Sequence, residues 1–256
     1  MTPPVVLTIA GTDSGGAAGI AADLTTFAAL GVHGASVVTA VTAQDTAGVR
    51  ATHPVPYDVV AAQLDAVLED LDPVAIKTGM LATPAIVRLV AQRCSKPILV
   101  VDPVVVATSG AVLAGPDVVS AYRTHLIPVA TVVTPNPDEY DLLDIGSETT
   151  VIRTGSGAGD IVQGPGVPPL SLPHQYVATT NDHGTGCTHS AALAAYLARG
   201  LDLAQAATAA AAYVRGQLRM SKDWRLGRGR GPLAHISTTS PATSSITTAI
   251  SKGEPQ

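Results

Sequence analysis

The sequence predicts an α/β protein built on a mostly parallel sheet with helices on both faces. Three observations lead there. Short Val/Ile-rich runs alternate along the chain with longer segments of helical period, the pattern of strand, crossover and parallel strand. Hydrophobic residues make up 46% of the chain and aromatics only 3%, so the core has to be built from Val, Ile, Leu and Ala, which suits strands buried on both faces. Polar residues, finally, gather where the apolar runs end.

The elements follow in order. Val5–Ala10 is a continuous apolar run of strand length, and the glycines of "GTDSGGAAG" release the chain into a helix over Ala18–Leu30. Ser36–Thr42 is the second strand, followed by a helix over Tyr57–Glu69. Val74–Lys77, a helix over Pro84–Gln92, Ile98–Val101, a helix over Pro116–Leu126 and Thr131–Val133 continue the alternation, with proline opening two of the helices. Thr150–Arg153 is the last strand expected. Residues 155–173, rich in Gly and Pro, read as loop with at most one short strand. Two helices close the pattern, Gly186–Arg199 and Leu203–Leu218, with Gly200 placed to end the first. One domain is expected over residues 1–237, shortened near 144–160. The Ser/Thr/Pro-rich segment 238–256 has little to bury and is expected to be a disordered tail.

Composition excludes several classes of function. The net charge is −5 and no long basic run occurs, which argues against nucleic acid or anionic membrane as partner. The cysteines, Cys94 and Cys187, are only two and far apart, as in a reducing compartment. The N-terminus lacks a charged start and a cleavable apolar core, and the apolar runs are far too short to span a bilayer. A cytoplasmic protein is the expectation.

In open parallel sheets, ligands bind beyond the carboxyl ends of the strands. Asp13, Gln44, Lys77, Asp102 and Asn136 each follow one of the expected strands, so each strand delivers a polar group to one edge. The glycines of residues 11–24 match neither GxxxxGK[ST] nor GxGxxG, but they allow a ligand to approach the backbone; a bare strand-to-helix turn would look the same. The Gln44 amide offers donor and acceptor together, matching a ring with an amine beside a ring nitrogen; the alternative is a solvated loop side chain. Asp102, ending a buried strand before Pro103, could hold Mg²⁺ for phosphoryl transfer or serve as turn chemistry. Asn136 and Glu139 in "TPNPDE" face the same region, where Asn136 or Asp138 could equally cap a helix. "HGTGCTHSAALAAYLARG" places Gly184, Thr185 and Gly186 ahead of a helix, a nest of N–H groups for negative charge on a transferred phosphoryl group. Cys187 at that helix start should have its thiolate favoured and could take a proton from an attacking alcohol. Packed as a small apolar residue, it would have no such role. Cys94 reads as structural.

Taken together, "VLTIAGTDSGGAAGIAADL", "IKTGML", "VVDPVVVATSG", "VVTPNPDE", "HGTGCTHSAALAAYLARG" and "GRGPLAH" resemble the hydroxymethylpyrimidine/phosphomethylpyrimidine kinases of thiamine biosynthesis, members of the ribokinase-like superfamily. The resemblance covers nearly all of residues 5–236. It implies a three-layer α/β/α sandwich and transfer of the ATP γ-phosphoryl group, with Mg²⁺, to 4-amino-5-hydroxymethyl-2-methylpyrimidine and then to its monophosphate. It further implies that Gly11, Asp23 and Gln44 line the pyrimidine site with Met80 and Val106 as apolar walls. Asp102 and Glu139 would serve the metal, and Asn136, Arg153 and Thr185 the nucleotide. Gly184, Thr185 and Gly186 would form the anion hole and Cys187 the base. Relatives are commonly homodimers.

One departure stands out. Family members carry a helix after the "TPN" segment and then a strand ending in Lys-Gly-Gly-His. Here "DLLDIGSETTVIRTGSGAGDIV" runs straight to the strand, with Arg153 in place of the lysine and no histidine after Gly155. Roughly a helix is missing, which should leave one sheet face thinly covered near the nucleotide. Two further readings stay open on these residues: a kinase for pyridoxal on the same fold, and a non-catalytic relative that binds a pyrimidine without turning it over.

Overall fold

The computed structural model describes residues 2–95, 97–105, 113–156, 159–173 and 175–236. Its strands form one nine-stranded sheet in the order β3-β2-β1-β4-β5-β6-β7-β8-β9. In chain order these are β1 (Val5–Gly11), β2 (His33–Asp45), β3 (Gly48–Pro54), β4 (Ala75–Thr78), β5 (Ile98–Val101), β6 (Val132–Val133), β7 (Val151–Ser156), β8 (Gly159–Gly164) and β9 (Val167–Pro173). The six strands from β2 to β7 run parallel, and β3, β8 and β9 add antiparallel pairs at the two ends.

Side-chain alternation along the strands builds three layers. Leu7 and Ile9 of β1, Leu99 and Val101 of β5, Val133 and Val151 face one core. That core also holds α2 (Tyr57–Leu71), α3 (Pro84–Arg93) and α4 (Pro116–Ala121). Their neighbours Val6, Val100, Val132 and Ile152 face the other, against α1 (Gly19–Ala29), α6 (Thr185–Ala198) and α7 (Leu203–Ser221). Successive residues point to opposite faces and both faces are buried, which is why these strands read as unbroken apolar runs. The inner side of α6 is made of alanines: Ala191, Ala192, Ala194 and Ala195 are wholly buried.

Two sequence expectations are corrected here. Within the segment expected as loop over 155–173, β8 and β9 form an antiparallel hairpin around the Pro165-Gly166 turn, because Val162 and Leu172 pack into the α7-side core despite the flanking Gly and Pro. The edge strand β3 was also not expected; five of its seven residues are exposed, so it carries no apolar pattern. The helix expected over Pro116–Leu126 is helical throughout but changes geometry, from α4 to a π-turn over Tyr122–Leu126. That turn aims the buried Tyr122 hydroxyl at the Gly79 carbonyl, to which it donates at 3.1 Å.

Between β6 and β7 stands one short helix, α5 (Pro137–Leu143). From this helix Tyr140 reaches the neighbouring strands: its ring lies 4.9 Å under the Arg153 guanidinium and its hydroxyl accepts from Gln163 Nε2 at 3.1 Å. The expected tail 238–256 and Val106 lie outside the described residues.

Candidate active site

A cleft of about 660 Å³ opens along the carboxyl edge of the parallel strands, a volume suited to small-molecule ligands. It lies where the strand order reverses about β1, with β2 on one side and β4 on the other. Gly11, Gln44, Met80, Asp102, Asn136, Glu139, Gly184, Thr185, Gly186 and Cys187 all line it. Of the five strand-tip residues, Asp13, Gln44, Asp102 and Asn136 line this cleft, and Lys77 is buried and does not.

At the β1 end, the chain between Thr12 and Ala18 wraps around the Asp13 carboxylate. Oδ1 accepts from Gly15 N–H at 2.8 Å, and Oδ2 from Ala17 and Ala18 N–H at 3.1 and 2.9 Å. Burial works against ionisation, but His183 and these backbone bonds outweigh it and hold the carboxyl below the usual carboxylate range. His183 Nε2 sits 3.1 Å from Asp13 Oδ2 and 2.9 Å from the Gln44 side-chain amide. Ser14 fixes the Gln44 backbone twice, donating to its carbonyl at 2.7 Å and accepting from its N–H at 2.8 Å. Gly11 faces the Met80 methyl group, and a Cβ there would overlap it.

The opposite wall is the start of α6. Gly184 takes φ +88°, and a Cβ on it would overlap the Ala17 carbonyl oxygen, so only glycine lets this loop press against the loop after β1. The first intrahelical bond runs from Thr188 N–H to Gly184 C=O, leaving the N–H groups of Gly186 and Cys187 ahead of it at the positive end of the helix. The Thr185 hydroxyl donates to the Asp182 carbonyl at 2.6 Å, which fixes the loop and occupies that proton.

Cys187 faces the cleft, and its sulfur takes a hydrogen bond from Gly19 N–H. The thiolate is nonetheless not favoured as the helix start alone suggested. Burial pushes the thiol up to about 12; Lys77 and the Gly19 N–H pull down, while Asp102 and Asp23 push the same way as burial. Desolvation and two carboxylates outweigh one helix end and one ammonium. Cys94 is buried as well, also near 12, and is remote from the cleft lining.

Beneath the cleft floor lies a buried ionic group. Lys77 Nζ is 2.9 Å from both oxygens of Asp23 and 4.0 Å from Asp102 Oδ2, with Lys77 and Asp23 wholly buried. Burial would lower the lysine, but Asp23, Cys187 and Asp102 outweigh it and hold the ammonium above its usual range. Asp102 accepts from the Ser190 hydroxyl at 2.8 Å, one turn beyond Cys187. Glu139 accepts from Val105 N–H at 3.0 Å and closes a capping box with Asn136. Its carboxyl is pushed up to about 7, first by burial and then by the charge of Asp102.

Two expected site residues are placed elsewhere. Asp23 does not line the cleft: it points into the core, where it is consumed by Lys77 and by the Thr8 hydroxyl at 2.6 Å. Arg153 does not line it either, because its guanidinium stacks on Tyr140; the next residues, Thr154 and Gly155, reach the cleft instead. Several contributors had no assigned role in the sequence. Lys77 stood out only as a polar strand tip, and His183 as a member of the "HGTGC" run. Asp160 and His189, 3.7 Å apart, also line the cleft, one from the β8–β9 hairpin and the other from the "HGTGCTH" run, where it had no assigned role.

Comparison with known proteins identifies the family. The family model described as phosphomethylpyrimidine kinase matches residues 13–158 and 141–234, two stretches that overlap over 141–158. A hydroxymethylpyrimidine/phosphomethylpyrimidine kinase of Rhizobium meliloti is 45% identical, over 91% of this chain and 97% of the relative. Among solved structures, a phosphomethylpyrimidine kinase of Clostridium difficile has a TM-score of 0.69 at 33% identity, covering 83% of this chain and 98% of that one. A pyridoxal kinase of Bacillus subtilis, solved as an ADP complex, has a TM-score of 0.81 at 31% identity, covering 91% and 98%. The chain belongs to the phosphomethylpyrimidine kinase family.

Proposed function

We propose that this protein transfers the γ-phosphoryl group of ATP to the hydroxymethyl group of 4-amino-5-hydroxymethyl-2-methylpyrimidine, and then a second group to the monophosphate. The observation that carries the reading is the position of Cys187. It lines the cleft at the start of a helix, and Gln44 and Met80 belong to the same lining. The pyrimidine is held between Gly11, Gln44 and Met80, with its hydroxymethyl oxygen toward the thiol. The Gly184–Cys187 backbone takes the charge of the migrating group. Cys187 receives the alcohol proton once its own has left, a loss that Lys77 favours and the neighbouring carboxylates oppose.

The residues present fit a magnesium–nucleotide complex. Asp102 and Glu139 put two carboxylates on one wall of the cleft, and Lys77, 4.0 Å from Asp102, is already engaged by Asp23. Mg²⁺ is commonly held by one or two carboxylates together with phosphates and water, and when bound it neutralises charge on the phosphates. Asn136, Thr154 and Gly155 lie on the same side of the cleft for the nucleotide.

The test is an ADP-release assay with the pyrimidine alcohol and then with its monophosphate. Turnover of the first supports the reading, and absence of ADP release with either substrate removes it. Pyridoxal belongs in the same assay, because pyridoxal kinases have TM-scores near 0.8 with this chain; a higher kcat/KM for pyridoxal overturns the choice of substrate.

A further inference from the structure

His183 stands beside both Asp13 and the Gln44 side-chain amide. Asp13 accepts three backbone N–H bonds and is held ionised, so it can only accept. His183 Nε2 stands 3.1 Å from Asp13 Oδ2, in a pair that is almost entirely buried. A bare ring nitrogen there would set one lone pair against an anion. The proton of the imidazole therefore sits on Nε2 and is donated to Asp13.

The same Nε2 is 2.9 Å from the Gln44 amide nitrogen. A protonated Nε2 facing an amide NH₂ would oppose donors, which a half-turn of the amide about its last bond removes at no cost in shape. Gln44 oxygen then faces His183 and shares its proton, and the NH₂ group faces the cleft. The backbone of Gln44 is clamped on both its N–H and C=O by Ser14, so the side-chain amide is the part left to adjust. Since Gln44 lines the cleft, the group it presents there is a donor.

We propose that His183 is a positioning residue that locks the Gln44 amide with its NH₂ toward the ligand, so that the site selects a ring bearing an unprotonated acceptor nitrogen. Asp13 sets the histidine tautomer, the histidine sets the amide, and the amide reads the ring. The inference rests on the pyrimidine reading above for its ligand, though not for its proton arrangement.

The test has two arms. In the protein labelled with ¹⁵N and free of ligand, NMR of the imidazole is expected to show the proton of His183 on Nε2; a proton on Nδ1 with a bare Nε2 overturns the inference whatever the enzyme's substrate. In the second arm, kcat/KM is compared for the pyrimidine alcohol and for its analogue with carbon in place of the ring nitrogen beside the amine. The wild type is expected to prefer the pyrimidine by roughly tenfold or more, the scale of one buried hydrogen bond left unpaired. His183→Phe should lose most of that preference, with the loss in KM rather than kcat. His183→Gln, which returns an N–H near the same place, should restore it. Full preference retained in His183→Phe overturns the inference, and failure of the wild type to use the pyrimidine at all removes the functional reading while the tautomer still decides this one.

Discussion

Lys77 and Asp23 form a closed ion pair beneath the cleft, with the ammonium 2.9 Å from each carboxylate oxygen and neither side chain reaching solvent. Removing one member of such a pair leaves an uncompensated buried charge, at a cost of about 3–5 kcal/mol. Lys77→Met should therefore lower the unfolding free energy by about that amount. Combining it with Asp23→Asn should recover at least half, since the amide oxygen can still accept from Thr8. Chemical denaturation of the two single variants and the double variant measures the coupling.

Cys187→Ala should lower kcat about 10²–10⁴-fold, the usual scale of a lost general base, and change KM far less. Because the thiol is held up to about 12, the fraction able to accept a proton grows as pH rises. The wild-type kcat should increase from pH 7 to 9, and the residual rate of the alanine variant should not. Steady-state kinetics across that range are the check; a flat wild-type profile with an unchanged alanine variant would remove Cys187 from the reaction.

Glu139 has a carboxyl raised to about 7 from an ordinary value of 4.5, so between these limits the folded protein binds a proton that the unfolded chain does not. The sign follows. Stability of the ligand-free protein contributed by this group is present below about pH 4.5 and declines as pH rises to about 7, by on the order of 1–3 kcal/mol. Glu139→Gln should flatten that part of the stability profile, as measured by thermal or urea unfolding at several pH values.

Gly184→Ala should be severely destabilising, because it adds a methyl group at φ +88° directly against the Ala17 carbonyl. Left-handed backbone alone costs a non-glycine residue about 1–2 kcal/mol, and the overlap adds to that. Gly186→Ala is the control: its Cβ would meet open space within a helical turn, so folding stability should hold to within about 1 kcal/mol. Thermal melts of the two variants separate these outcomes.

The architecture was largely legible because its core strands are buried on both faces, and Val5–Ala10, Ile98–Val101 and their neighbours announce this as unbroken apolar runs. The β8–β9 hairpin was not, since its apolar residues are separated by Gly, Pro and polar positions, and among the described ones Val162 and Leu172 pack into the core. In the site, the backbone-defined parts were readable: glycines at a loop that must pass close to another loop, and a cysteine at a helix start. Asp23 was misplaced because a carboxylate on the first helix looks the same in sequence whether it faces a ligand or, as here, a lysine three strands of chain away. His183 escaped notice because its meaning lies in two residues, Asp13 and Gln44, that only folding brings to it.

The tight backbone contact between Ala17 and Gly184 joins the loop after β1 to the loop that opens α6, the two to which the proposed reaction assigns acceptor and transferred group. Neither can drift without the other. Such shared walls let a lineage exchange the side chains that choose its alcohol while inheriting the transfer apparatus intact, which is one physical route by which vitamin kinases of differing appetite can share a single scaffold.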